Sequence, residues 1–145
     1  MATDSWLRSG YHSVNSYLVA DSPDALIAWL CEVFDGTERG VREIAPDGRI
    51  GHAEIQIGDS VIMMADPFPE MGVVDPKKIG GTPITMYVYV EDVDATFADA
   101  IKAGAKQLEA VEDKFYGDRS GQFEDPWGHR WGVTTHIEDV SPQEM

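Results

Sequence analysis

Residues 17–36, YLVADSPDALIAWLCEVFDG, and residues 87–105, YVYVEDVDATFADAIKAGA, decide the fold. Each runs from a β-rich stretch through a helix-start signal into a helical stripe. Tyr11 to Ala20 is rich in Tyr, Val and Leu and reads as a strand. Ser22-Pro23 then supplies an N-cap and a proline at the first helical position. Leu26, Ile27, Leu30, Val33 and Phe34 recur at helical spacing, and Gly36 stands where a C-cap glycine is expected. In the second stretch Thr85 to Val90 alternates like a strand, and Asp92 caps a helix. Phe97, Ala100 and Ile101 mark its buried stripe, and Gly104 ends it.

Each pair is followed by three more strand candidates. They are Thr37 to Ala45, Gly51 to Ile57 and Ser60 to Ala65, and then Ala105 to Lys114, Gly117 to Glu124 and His129 to Thr135. Asp47-Gly48 and Gly58-Asp59 are the turn signals of the first set. A 70-residue shift pairs Tyr17 with Tyr87, Asp24 with Asp94, Ala25 with Ala95 and Ala28 with Ala98. The same shift continues through Val41/Val111, Arg49/Arg119, Gly51/Gly121, Glu54/Glu124 and Gly58/Gly128. The chain therefore reads as a tandem βαβββ repeat. Module one covers about 10–66, a Pro- and Gly-rich linker 67–82, module two about 83–136, and a polar tail 137–145.

One helix can cover only one face of a four-stranded sheet. The expected class is α+β, with the two modules forming a curved eight-stranded sheet around a cleft. Strand alternation sorts the side chains. Ala53, Ile55 and Ile57 belong under the first helix, which leaves His52, Glu54 and Gln56 for the open face. Met86, Val88 and Val90 belong under the second, which leaves Thr85, Tyr87 and Tyr89. The same reasoning puts Asn15, Tyr17, Ser60, Ile62 and Met64 on the open face, with Arg130, Gly132 and Thr134 from the last strand.

Composition bounds the function. The 145 residues carry 26 Asp plus Glu against 11 Lys plus Arg, a formal charge of −15. That excess argues against nucleic-acid and anionic-membrane partners, which need clustered cations. Hydrophobic content of 43% excludes a disordered acidic tail. The single Cys31 forbids an intrachain disulfide and a Cys-rich zinc site. Neither a signal-peptide core nor a membrane-length apolar run is present, so the expectation is a soluble, cytoplasmic protein.

Three stretches carry a family resemblance: GHAEIQIGDSVIMMAD (51–66), YVYVEDVDATFADAIKAGA (87–105) and FYGDRSGQFEDPWGHRWGV (115–133). With the paired βαβββ pattern, they resemble the vicinal oxygen chelate superfamily of glyoxalase I, extradiol dioxygenases and bleomycin-resistance proteins, in its PhnB-like branch. The resemblance implies a homodimer. It also implies metal ligands from the first and last strands of each module. Those positions fall on Asn15, Ile62 (or Met63 if the strand slips by one), Thr85 and Gly132, none of them a His or a carboxylate. The expected cofactor is therefore none, with a divalent metal shifted onto His52 and Glu54 as the alternative.

The expected function is binding of a small organic ligand in a metal-free cleft. The alternative is a glyoxalase-type lyase or isomerase using His52/Glu54 acid–base catalysis or the shifted metal. Expected ligand contacts are Asn15, His52, Glu54, Met64, Thr85, Tyr87, Tyr116, Arg119, Glu124, Trp127 and Arg130, with His52 and Glu54 also the catalytic candidates. His52 and Glu54 share a face and suit proton transfer, or else simply support the sheet. Arg119 and Arg130 can fork onto a carboxylate or phosphate, or pair internally with Asp118, Glu124 or Asp125. Tyr87, Tyr89, Phe115, Tyr116 and Trp127 offer stacking surfaces. Met63, Met64 and Met71 offer an adaptable pocket wall, with Met63 rather expected in the core, His129 in a turn-stabilising role, and Cys31 as a packed thiol.

Overall fold

Pro23–Phe34 forms the first helix, α1, and its buried residues Leu26, Ile27, Leu30, Val33 and Phe34 are the expected stripe. Its start differs from the expected cap. Ser22 has φ 75° and its side chain makes no capping bond, so Pro23 at the first turn carries the helix start. The helix Val93–Lys102 (α3) starts as expected, with the Asp92 carboxylate accepting from the Ala95 N–H at 3.1 Å.

The computed structural model describes residues 1–145, in two units, Met1–Asp75 and Pro76–Met145. The first unit holds strands β1 (Ser16–Val19), β2 (Thr37–Ile44), β3 (Ile50–Ile57) and β4 (Ser60–Ala65), in the order β1-β4-β3-β2. The second holds β5 (Thr85–Tyr89), β6 (Lys106–Asp113), β7 (Asp118–Glu124) and β8 (Arg130–His136), in the order β5-β8-β7-β6. In each sheet the first strand runs parallel to the last and the other pairs are antiparallel. Two four-stranded sheets, each with one main helix, make an α+β protein of two βαβββ modules.

The first strand is shorter than expected. His12 and Asn15 close a local loop, in which the His12 N–H donates to the Asn15 Oδ1 at 3.0 Å and the Asn15 amide donates to the His12 carbonyl at 2.6 Å. This Asn turn ends the extended run at Ser16. The linker contains a 3-10 turn at Pro69–Met71, a Phe68–Val73 bridge and the short helix α2 (Pro76–Ile79).

Pairing register corrects the constant 70-residue offset. In the first sheet Tyr17 pairs with Met63, which pairs with Glu54. In the second Tyr87 pairs with Gly132, which pairs with Gln122. The mate of Glu54 is therefore Gln122, not Glu124, and Arg49/Arg119 are not equivalent positions. The slip arises in the hairpins. In the first unit β2 and β3 go from Glu43↔His52 to Ile44↔Ile50, skipping Gly51 as a bulge, whereas Glu112↔Ser120 is followed directly by Asp113↔Arg119.

Each core lies between sheet and helix. Leu26, Leu30, Ile55 and Met64 are fully buried in the first unit, and Phe123, Trp131 and Val133 in the second. The β7–β8 turn is organised by one buried carboxylate. Asp125 accepts from the Trp127 N–H at 2.8 Å, the His129 N–H at 3.0 Å and the Trp131 indole N–H at 2.9 Å, and it pairs with the His129 ring at 3.0 Å. His129 thus has the turn-stabilising role expected of it. Removing the carboxylate leaves several buried donors without a partner, so Asp125→Ala is expected to lower urea-measured stability by about 3 kcal/mol, and Asp125→Asn by less.

Candidate functional site

Residues on the open face of the first sheet are set by period-2 alternation from β3. Ala53, Ile55 and Ile57 are buried beneath α1, and His52, Glu54 and Gln56 take the other side, as expected. Strand β4 is one residue out of the expected phase. Met64 pairs with Ala53 and Ile62 with Ile55, so both sit on the helix side, and Met64 has no exposed surface. Met63, paired with Glu54 and Tyr17, takes the open face instead. Met64 as a ligand contact and Met63 as a core residue are both corrected. An all-apolar strand, SVIMMA, gives no alternation from which its phase can be read.

A continuous polar chain crosses this face. The Tyr17 hydroxyl lies 3.1 Å from His52 Nδ1 and 3.3 Å from the Gly51 carbonyl. His52 Nε2 lies 2.8 Å from Glu54 Oε2, and the Arg39 Nε lies 3.3 Å from Glu54 Oε1. Tyr11 also hydrogen-bonds Glu54. Burial alone would raise the Glu54 carboxyl. Hydrogen bonds from Tyr11 and His52, with the Arg39 charge, outweigh it and hold the group below the ordinary carboxylate value. Glu54 is thus an ionised acceptor, which places the proton of the shared bond on His52 Nε2. Burial, followed by the charges of Glu43 and Glu54, pushes the Tyr17 phenol up.

Beside this chain lies a cavity of about 510 Å³. Its walls are Tyr17, Val19 and Ala65 from the sheet, Glu43, Ile44, Ala45, Pro46 and Gly51 from the β2–β3 hairpin, and Phe68, Met71 and Val73 from the linker. The linker segment is held down by Arg49, whose guanidinium sits 3.9 Å from the Phe68 ring centroid and pairs with Glu70 at 2.7 Å. That pairing holds the Glu70 carboxyl down to about 2. Tyr11, Tyr17, Arg39, Glu43 and Phe68 were not among the expected site residues. Of these only Tyr17 carried a usable signal, its place on the open face. The others are brought in by the hairpin, the linker and the N-terminal segment.

The open face of the second sheet carries a different network. Gln122 donates to the Tyr87 hydroxyl at 2.7 Å and accepts from the Arg130 Nε at 2.8 Å. Gly132 lies under the Tyr87 ring, where any Cβ would come within 2.5 Å of it. Tyr89 donates to Asp118, which also holds His136 at 2.8 Å. Glu124 and Thr85 share this face, each opposite Arg130 in the ladder. Arg119 does not. It lies on the helix side, bonded to both oxygens of Asp94 and to Asp113. Internal pairing therefore holds for Arg119, with partners other than the three expected. Tyr116 stacks edge-on against Phe115 at 5.3 Å, and the Trp127 N–H is held by Asp125.

The positions implied as metal ligands do not fit a metal. Asn15 spends its amide on His12, Met63 and Gly132 offer no hard donor, and Thr85 offers one hydroxyl. Around His52 and Glu54 no third His, Cys, Asp or Glu completes a set, and both ring nitrogens are already engaged.

A paired βαβββ architecture with a polar open face defines the class, and comparison with known proteins places the chain within it. A family model for the Glyoxalase/Bleomycin resistance protein/Dioxygenase superfamily matches residues 11–133, and the chain belongs to that family. The uncharacterised protein Mb0911c of Mycobacterium bovis is 36% identical over 92% of this chain and 89% of its own length. The crystal structure of TioX from Micromonospora sp. ML1 matches with TM-score 0.64 and 25% identity over 90% of this chain and all of that one. The PhnB protein of Bacillus cereus matches in fold, with TM-score 0.66 and 16% identity over 86% of this chain and 99% of that one. No helix is long and apolar enough to cross a membrane.

His136 gives a pH test of the second unit. Hydrogen bonds to Asp118 and then Asp139 raise its imidazole above the ordinary 6.5. The stabilisation is therefore complete below 6.5 and is lost as pH rises through the higher native value. Urea midpoints measured between about pH 6 and about pH 9 should fall across that window. His136→Gln should remove this component of the pH dependence.

Proposed function

We propose that this chain binds a small organic ligand, without a metal, in the cavity of the first unit. The observation that carries the reading is the cavity itself, of drug-ligand size and walled mainly by apolar side chains around Tyr17 and Glu43. The Tyr17–His52–Glu54 chain fixes the orientation of the wall's aromatic hydroxyl. Val19 lines the cavity from β1 and Val73 lines it from the linker. Val19→Trp, or Val73→Trp from the linker side, is expected to weaken binding of any thermal-shift hit from a metabolite and antibiotic panel by at least about tenfold. Unchanged affinity in both variants would place the ligand elsewhere.

The same chain favours a second reading, acid–base catalysis by a lyase or isomerase. Here His52 is the proton carrier and Glu54 its orienting carboxylate. Glu54→Gln separates the two readings. A binding protein keeps its affinity within about threefold, whereas an enzyme loses turnover by about a hundredfold or more while still binding. We further propose a cytoplasmic homodimer, supported by the unpaired outer strands of each sheet and by the exposed Tyr87, Tyr89 and Phe115. Sedimentation should then give the mass of two chains.

A further inference from the structure

We infer that the first unit's cavity selects an organic cation, an apolar body carrying a protonated amine, recognised by Glu43 and the Tyr17 oxygen. This rests on the cavity being the ligand site and adds the charge of what enters it. The inference comes from counting what the wall offers. Glu43 is the only ionisable acid in the lining and no base accompanies it. Its carboxylate makes no ion pair or hydrogen bond, unlike Glu38, Glu54 and Glu70 on the same unit, each of which is held by an arginine.

Tyr17 adds a second acceptor. Its single proton has two partners within the protein, the Gly51 carbonyl at 3.3 Å and His52 Nδ1 at 3.1 Å. If His52 is neutral, its Nε2 proton goes to Glu54 and Nδ1 accepts from the phenol. If His52 is charged, Nδ1 donates to the phenol oxygen and the phenol proton goes to Gly51. In both states the hydroxyl proton is spent inside the wall, so toward a ligand the Tyr17 oxygen can act only as an acceptor. The polar side chains of the lining are thus both acceptors, and an apolar ligand bearing an anion would find no donor to satisfy it. Phe68, whose ring already stacks with Arg49, completes the apolar wall.

The test uses three probes of one shape, 4-phenylbutylamine, 4-phenylbutanol and 4-phenylbutyrate, titrated into the 145-residue protein by calorimetry at neutral pH. The amine is expected to bind most tightly and the carboxylate most weakly, with amine and alcohol differing by about fivefold, as for a partly exposed ion pair. Glu43→Gln should erase that gap, and Glu43→Lys should shift preference to the carboxylate. Glu32→Gln, an equal charge change on the exposed side of α1, should leave the gap intact. If the alcohol binds but the amine binds no better, the charge selection is overturned and the cavity reading stands. If Glu32→Gln narrows the gap as much as Glu43→Gln, the preference reflects net charge alone and the inference falls. If none of the three binds, the cavity reading fails and takes the inference with it.

Discussion

One helix covers one face of a four-stranded sheet, and much of the rest follows from that constraint. Under α1 the sheet is packed with Leu26, Leu30, Ile55 and Met64. The other face has no helix, so its backbone and side-chain polar groups satisfy each other laterally across the strands. In the first unit that lateral network is Tyr17–His52–Glu54–Arg39. In the second it is Tyr87–Gln122–Arg130. The same register positions thus hold an ionised carboxylate in one module and a neutral amide in the other. Duplication supplied one scaffold twice, and the electrostatics of the two faces diverged.

That divergence makes the first unit the chemically loaded one. Glu54 is kept ionised against its own partial burial by three neighbours, and this orders the imidazole beside it. Preorganisation of this kind is useful both to a binding site and to a proton-transfer site, because reorientation is settled before the ligand arrives. The contrast with Gln122 sharpens the point. An amide can donate to Tyr87 and accept from Arg130 at once, which makes a neutral structural bridge with no proton to move.

The sequence made the fold legible because two independent signals agreed: helix stripes of matching phase and an internal offset. It failed where those signals thin out. SVIMMA has no polar residue to reveal its phase, so Met63 and Met64 exchanged roles. A constant offset cannot register a bulge at Gly51 or a change of turn length, so Glu124 stood in for Gln122. Arg119 was counted among the ligand contacts, although strand alternation from Gln122 puts it under α3, where it bonds Asp94. His52 and Glu54 were legible because they alternate with Ala53 and Ile55. The cavity was not, since Ala45, Pro46, Phe68, Met71 and Val73 in its wall come from turn and linker segments outside any strand.

The linker segment that carries Phe68, Met71 and Val73 leaves β4 and returns over the same unit, pinned by Arg49. A tandem chain has only one joint between its modules, so only one of them can be roofed in this way. The order of the two halves is therefore not interchangeable. A circular permutant opened between Asp75 and Pro76 would keep every strand, both main helices and every residue of the cavity. Its roof, however, would become a chain end, tethered on one side and free to fray on the other. In this protein the connection between the repeats is itself part of the cavity wall.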